Sequence, residues 1–379
     1  MRIGINGLAA ENRSGTGRYT TELIRHLAQL DARNEYIVVA HEGSPLCNLL
    51  GSRPNFRLIR QPQRSRPARI WWEQRRLPNL IARERLDVFH APAFVLPGRS
   101  PAPTVATIHD LVFMRYPETF GYFRRQYFHW TIPRSAYRAT LVIADSEATQ
   151  RDLEDLLQVR PERIRVVPLG VGEEFFEPAP AAARARVRAQ LMLPEQYILT
   201  VGTIEPRKNL VRLIEAYARV RERLRRRCPA LVLAGRKGWK YDEVFGRIAE
   251  RDLRGDVIWH DFVPDDIVRA VYQRATVFAC VSLHEGFGLP LLEAMASGVA
   301  VVASNRSSLT EIVGDAGVLV DPLDTEAIAD ALVGLLTDEE RRTDLAARAR
   351  DRARRFSWER TARETLAVYE EAAAVRRGS

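Results

Sequence analysis

Cysteine and lysine are both scarce. The 379-residue chain has three cysteines, at 47, 228 and 280, and three lysines, at 208, 237 and 240. Three widely spaced cysteines support neither a disulfide framework nor a cysteine-based zinc site. The seven histidines show no H-E-x-x-H or other zinc spacing, so no metal site is expected. No apolar run approaches the ~18–20 residues of a membrane span, and nothing at the start looks like a signal peptide. A reduced, cytoplasmic setting is the expectation. There is no G-x-x-x-x-G-K-[ST], which removes the P-loop, and Gly15-Thr16-Gly17 meets Thr20 where G-x-G-x-x-G needs its third glycine. A D-x-D motif is absent too, which leaves metal chelation of a diphosphate without evident ligands.

What is present is an ordinary globular composition, 46% hydrophobic and 28% charged. That excludes disorder and coiled coil, and the length favours two domains of roughly 150–200 residues. Apolar strand-like runs at 2–7, 36–40, 56–59, 87–90, 104–108 and 141–144 alternate with helical stretches. After a Pro-containing stretch at 173–180, read as a linker, the pattern restarts at 197–202, 230–234, 256–259, 276–281 and 299–303. Near-continuous apolar strands between helices predict parallel sheets covered on both faces. The expected architecture is α/β: two doubly wound domains facing a cleft, with ligands at the carboxyl ends of strands.

Two segments carry candidate chemistry. In Val281-Ser-Leu-His-Glu285-Gly-Phe-Gly-Leu-Pro290-Leu-Leu-Glu293, a strand runs through a glycine loop into a helix, with Pro290 near its first position. Free backbone N–H groups at such a helix start suit a phosphate, and the carboxylates of Glu285 and Glu293 suit sugar hydroxyls. A helix start with one dipole-offsetting Glu is the bland alternative, but two glutamates eight apart around Gly286, Gly288 and Pro290 favour a site. In Gly202-Thr-Ile-Glu-Pro206-Arg207-Lys208-Asn209, two adjacent cations follow a strand and open a helix, where they can neutralise a diphosphate. His109 follows another apolar strand, and Gly235 lies in a loop that could line a nucleotide site, although a plain turn explains that loop nearly as well.

These segments resemble glycosyltransferase family 4. Glu285 to Glu293 matches its E-x7-E signature, and Gly202 to Asn209 resembles its G-x-x-x-x-R-K-N stretch. The N-terminal Gly15-Thr-Gly17 loop, Thr107-Ile-His109-Asp110 and Ala144-Asp145-Ser146 are similar as well, and so is Ser307-Ser-Leu-Thr310-Glu311, where the family more often has Pro at the position of Thr310. The likeness runs over about residues 1–370 and is nearest the bacterial mannosyltransferase B-like branch. It implies the GT-B fold: an acceptor-side domain over 1–172, rejoined by a C-terminal helix at 357–379, and a nucleotide-sugar-binding domain over 181–356. It further implies a retaining, metal-independent transferase that needs no cofactor. The donor would be a nucleotide-diphosphate sugar, GDP-mannose before a UDP-sugar, and the acceptor a glycan or lipid-linked sugar in surface polysaccharide or glycolipid synthesis.

Roles follow from the same resemblance. Glu293 would bind the ribose and Glu285 the donor sugar. Arg207 and Lys208 would hold the diphosphate, helped by the backbone N–H groups of Phe287, Gly288 and Leu289. Gly15 and Gly17 would allow close approach of the donor, and His109 would face its sugar. Two rivals are an epimerase or oxidoreductase of similar architecture, and a basic nucleic-acid binder. The missing glycine fingerprint speaks against an oxidoreductase.

The basic pI of about 9.8 is what suggests a nucleic-acid binder, but the way the charge is distributed does not suit one. The chain carries +9, all of it in residues 1–150, with 21 basic and 12 acidic side chains there, and it is densest over 53–85. That stretch is interrupted by Trp71, Trp72, Leu77, Leu80 and Ile81, a pattern closer to an amphipathic helix than to a phosphate-tracking face. Arginine beside tryptophan suits anionic lipid headgroups, so peripheral contact with the inner face of the membrane, or with an anionic lipid-linked acceptor, is expected through 53–85.

Overall fold

A computed structural model describes residues 1–12, 14–51, 53–63 and 65–377, with the side chain of Arg66 and those beyond 375 left aside. Residue 64 of the arginine-rich stretch and residues 378–379 of the C-terminal tail therefore lie outside the described residues. The chain forms two compact units, Met1–Gly170 with Trp358–Ser379, and Val171–Ser357.

The first unit is built on seven parallel strands: β1 (Arg2–Asn6), β2 (Glu35–His41), β3 (Phe56–Gln61), β4 (Val88–Ala91), β5 (Thr104–Ile108), β6 (Leu141–Ala144) and β7 (Ile164–Val166). They lie in the order β3-β2-β1-β4-β5-β6-β7. Ile3 pairs with Tyr36 on one side and Val88 on the other, so the strand order reverses between β1 and β4. The central strands read as unbroken apolar runs because helices cover both faces: every residue of β4, β5 and β6 is buried. β7 lies at a sheet edge and has only three residues, too few to leave a periodic signal in sequence.

The terminal helix Trp358–Arg377 belongs to this unit and begins directly after Ser357. Its Thr361 hydroxyl donates to the Pro168 carbonyl (2.7 Å). Its Tyr369 hydroxyl lies 2.6 Å from His90 Nδ1, while His90 Nε2 lies 2.9 Å from Thr107 Oγ1. The Tyr19 hydroxyl lies 2.9 Å from the same Thr107 oxygen. Four polar side chains thus satisfy one another in the core, as buried polar groups must. Burial, reinforced by His109 nearby, drives the His90 pKa down to about 3, so this imidazole is neutral.

The second unit has β8 (Tyr197–Val201), β9 (Ala230–Ala234), β10 (Val257–His260), β11 (Val277–Cys280), β12 (Ala300–Ser304) and β13 (Val318–Val320), all parallel, in the order β10-β9-β8-β11-β12-β13. The order reverses between β8 and β11, where Val277 pairs with Ile198. The stretch 173–180, expected to be a linker, is packed into this unit. Phe175 is buried with its ring edge-on to Tyr272, and the Ala179 N–H donates to Gln273 Oε1 (2.8 Å). Pro180 is the N-cap of the helix Ala181–Leu191, so the stretch is not a free connection.

Candidate active site

The loops that follow β8 and β11 leave the two strands flanking the reversal, so both open onto the crevice where doubly wound sheets bind ligands. After β8, a short 3-10 turn over Pro206–Lys208 presents Arg207 and Lys208. It ends at Asn209, whose backbone is left-handed (φ 56°). That conformation is tolerated because the Asn209 amide donates to the carbonyls of Val281 (3.1 Å) and Pro322 (2.7 Å). The Arg207 carbonyl accepts from the Leu283 N–H (2.9 Å), tying the two loops together.

Glu285 lies where the loops meet. One of its oxygens receives the Lys208 ammonium (2.6 Å) and the Ser282 hydroxyl (2.7 Å), and the other pairs with the Arg207 guanidinium. Burial alone would raise the pKa of this carboxyl, but Arg207 and Lys208 overcome it and hold the group well below the usual carboxylate range. Arg207 is oriented further by Glu205, whose Oε1 accepts from Nε (3.0 Å) and lies 2.8 Å from Nη2, and by the His284 carbonyl (3.1 Å). Glu205 is itself buried. The cluster is therefore two cations balanced by two carboxylates, not the cationic pair that the sequence advertised.

Beyond Glu285, Gly288 precedes the helix Leu289–Ala296 in a left-handed conformation (φ 113°), and a Cβ there would lie 2.8 Å from Leu309 Cδ2. Glycine meets both constraints. The Ser308 hydroxyl spans the Glu285 (2.9 Å) and Phe287 (2.6 Å) carbonyls, and the Glu285 N–H donates to the Ser307 hydroxyl (3.0 Å). These bonds hold Phe287, Gly288 and Leu289 at the helix start, where backbone N–H groups have no intrahelical partner. Glu293 is buried in the same helix, one turn on. Gly235, after β9, lies against Gly202, after β8. The Gly202 N–H donates to the Ala234 carbonyl (2.9 Å), and a Cβ on Gly235 would overlap the Gly202 carbonyl.

Gly15, Gly17 and His109 lie in the first unit. Gly15 is exposed at the start of the helix Gly15–Leu30, and a Cβ on Gly17 would overlap the Asn12 carbonyl. Tyr19 of that helix meets His109 edge-on, with ring centroids 5.1 Å apart. His109 Nε2 lies 2.9 Å from the Pro92 carbonyl, which can only accept, so Nε2 carries a proton. Nδ1 lies 2.7 Å from Asp145 Oδ2. Burial would lower the imidazole pKa, but Asp145 more than offsets this and raises it, and burial raises Asp145 in turn. Both ring nitrogens are thus engaged within the first unit.

Sequence reasoning gives no role to Glu205, Ser282, Ser307 or Ser308. Glu205 leaves a signal, a carboxylate two residues before Arg207. Ser307 and Ser308 stand out only as part of a stretch that resembles the family, because their bonds to the Glu285 loop cross 21–23 residues of chain.

Two doubly wound units of this kind make up the GT-B fold of glycosyltransferases. The comparisons with known proteins give the family. The family model described as "Glycosyltransferase Family 4" matches residues 13–175, and that described as "Glycosyl transferases group 1" matches residues 184–352. The chain is 32% identical over 372 residues to the "O-antigen chain mannosyltransferase B" of Escherichia coli, covering 94% of this chain and 96% of that protein. The chain belongs to the family 4 glycosyltransferases. Among solved structures, the sucrose-phosphate synthase of Thermosynechococcus elongatus superimposes with a TM-score of 0.78 at 22% identity, over 99% of this chain and 100% of the other. Anabaena HepE, solved with UDP and glucose, gives a TM-score of 0.74 at 19% identity, over 98% and 100%. Both likenesses concern the fold.

Proposed function

We propose that this glycosyltransferase moves mannose, with retention, from a nucleoside-diphosphate donor to a glycan or lipid-linked acceptor in the synthesis of a surface polysaccharide or glycolipid. The E. coli relative's name favours mannose and hence GDP-mannose, whereas the UDP held by HepE keeps a UDP-sugar as the second reading.

The observation that carries the proposal is the buried Arg207–Glu285–Lys208 cluster beside a helix start at the reversal of the second sheet. Lys208 has three N–H donors and gives one to Glu285, leaving two for phosphate oxygens. With Arg207 it meets the charge that develops on the leaving diphosphate. The N–H groups at 287–289 add to this, Glu285 accepts from donor-sugar hydroxyls, and Glu293 from the ribose. The first domain, which carries Gly15, Gly17 and His109, holds the acceptor. Gly235 keeps the nucleotide-side loop close to Gly202. The domains of this reading are 1–172 with 357–379, and 181–356.

Among the described residues no helix is long and apolar enough to cross a membrane. The proposed setting is cytoplasmic, with peripheral contact on anionic membrane through residues 53–85.

The test is donor consumption. The protein is incubated with GDP-mannose or UDP-glucose, and release of the nucleoside diphosphate is followed in the presence of cell-envelope glycolipid. Release from GDP-mannose alone is expected. Release from UDP-glucose alone would overturn the donor assignment, and release from neither would overturn the proposal.

A further inference from the structure

The helix Tyr122–Arg138 buries Thr131, Ile132, Ser135 and Ala136 against the first unit. Its opposite side carries Phe123, Trp130 and Tyr137, which are 87%, 49% and 54% exposed. They are spaced seven residues apart, about two turns, so with Pro133 inside the helix the three exposed rings still fall on the side away from the buried set. The helix holds four arginines and no carboxylate. The Arg134 guanidinium sits 4.7 Å over the Trp130 ring.

At the end of the helix, Arg138 and Arg99 line a hollow of about 450 Å³ with no carboxylate in its lining. A Cβ on Gly98 in that lining would lie 3.2 Å from Gln74 Oε1 and 3.8 Å from Arg138 Nη1, so the helix Arg66–Arg75 reaches the same place. That helix offers Trp71, which is exposed, but Trp72, Leu77, Leu80 and Ile81 of the stretch 53–85 are buried. The arginine-rich stretch therefore supplies charge with little free apolar surface, and the rings are on the neighbouring helix.

We propose that the Phe123–Trp130–Tyr137 stripe is the surface that enters an anionic bilayer, with Arg134, Arg138 and Arg99 taking the lipid phosphates. The proposal rests on the membrane contact offered above and assigns its apolar part to a different helix. Aromatic rings beside arginines partition to the headgroup level and gain from anionic lipid. A second copy of the chain is a poorer occupant, because a two-fold contact through this helix would bring its arginines together.

The experiment is sedimentation of the full chain with phosphatidylglycerol-containing and pure phosphatidylcholine vesicles at low salt. The wild type is compared with Phe123→Ser/Trp130→Ser and with Arg60→Ser/Arg75→Ser/Arg76→Ser. The expected result is binding to anionic vesicles only, reduced about tenfold or more in the aromatic variant with its melting temperature unchanged. Brominated lipid should quench wild-type tryptophan fluorescence, and Trp130→Phe should lose that quenching. Unchanged binding in Phe123→Ser/Trp130→Ser and unchanged quenching in Trp130→Phe, with binding lost in Arg60→Ser/Arg75→Ser/Arg76→Ser, would overturn the stripe while leaving membrane contact through 53–85 standing. No wild-type binding would overturn both, and a dimer abolished by Phe123→Ser/Trp130→Ser would assign the stripe to self-association instead.

Discussion

Replacing Glu285 with glutamine removes one negative charge from a buried cluster of two cations and two carboxylates while keeping its shape. Arg207 and Lys208 are then balanced by Glu205 alone. Breaking a buried ion pair by removing one partner costs about 3–5 kcal/mol, and the glutamine oxygen can still accept from Lys208 and Ser282, which argues for the lower end. For a unit the size of Val171–Ser357, about 3 kcal/mol lowers the melting temperature by roughly 6–12 °C. The sign reverses for an anionic ligand: a nucleoside diphosphate meets a surplus positive charge and binds at least as tightly as to the wild type. Turnover nevertheless falls, because the glutamine no longer offers a carboxylate to the donor hydroxyls. The pH dependence also follows. Glu285 is held below its unfolded value, so its contribution is full above about pH 4.3 and is lost as pH falls through the lower folded value. The gap in melting temperature between wild type and variant should be widest near pH 7 and narrow below about pH 4.3. Differential scanning fluorimetry across pH, paired with calorimetry of nucleoside-diphosphate binding, checks both arms. An unchanged melting temperature together with weakened nucleotide binding would refute the charge-balance reasoning and make Glu285 a nucleotide ligand.

Gly235→Ala forces a Cβ into the Gly202 carbonyl at a backbone φ of 154° and should destabilise the second unit by at least ~2 kcal/mol, whereas Gly246→Ala, in a helix with open space around it, should stabilise by up to ~1 kcal/mol. Urea unfolding of both variants measures this directly. His90 has a folded pKa of about 3 against an unfolded value near 6.5, so its contribution is full above about pH 6.5 and is lost as pH falls toward 3. His90→Asn should lower stability at pH 7 and flatten the stability–pH curve across that window, as read by thermal melts.

The sequence carried the fold where burial is two-sided. Unbroken apolar runs such as Val88–Ala91 and Ala300–Ser304 stand out, whereas the edge strands Ile164–Val166 and Val318–Val320 are too short to register. Local chemistry was legible in the same way: Arg207, Lys208, Glu285 and Glu293 show themselves by residue type and spacing, because the loop and helix start that hold them are continuous in the chain. Non-local pairing was not. Gly202 against Gly235, Ser308 across two carbonyls, and Tyr369 on His90 exist only once the strands are ordered. Adjacent residues can also part company, as Trp71 faces solvent and Trp72 the core, which composition treats alike. The positive charge of the first 150 residues falls in the same unit as the exposed rings of the proposed stripe, but those rings lie on a helix some 50 residues beyond the exposed Trp71 of the arginine-rich stretch.

The central claim is that Arg207 and Lys208 hold the diphosphate of the donor. Calorimetric titration of GDP and UDP into the wild type and into Arg207→Ala/Lys208→Ala tests it most directly. Removing two charge-assisted contacts of about 1.5–3 kcal/mol each predicts at least a hundredfold loss of affinity for the nucleotide that the wild type binds. Equal affinity in wild type and double variant, with the variant still folded, would contradict it.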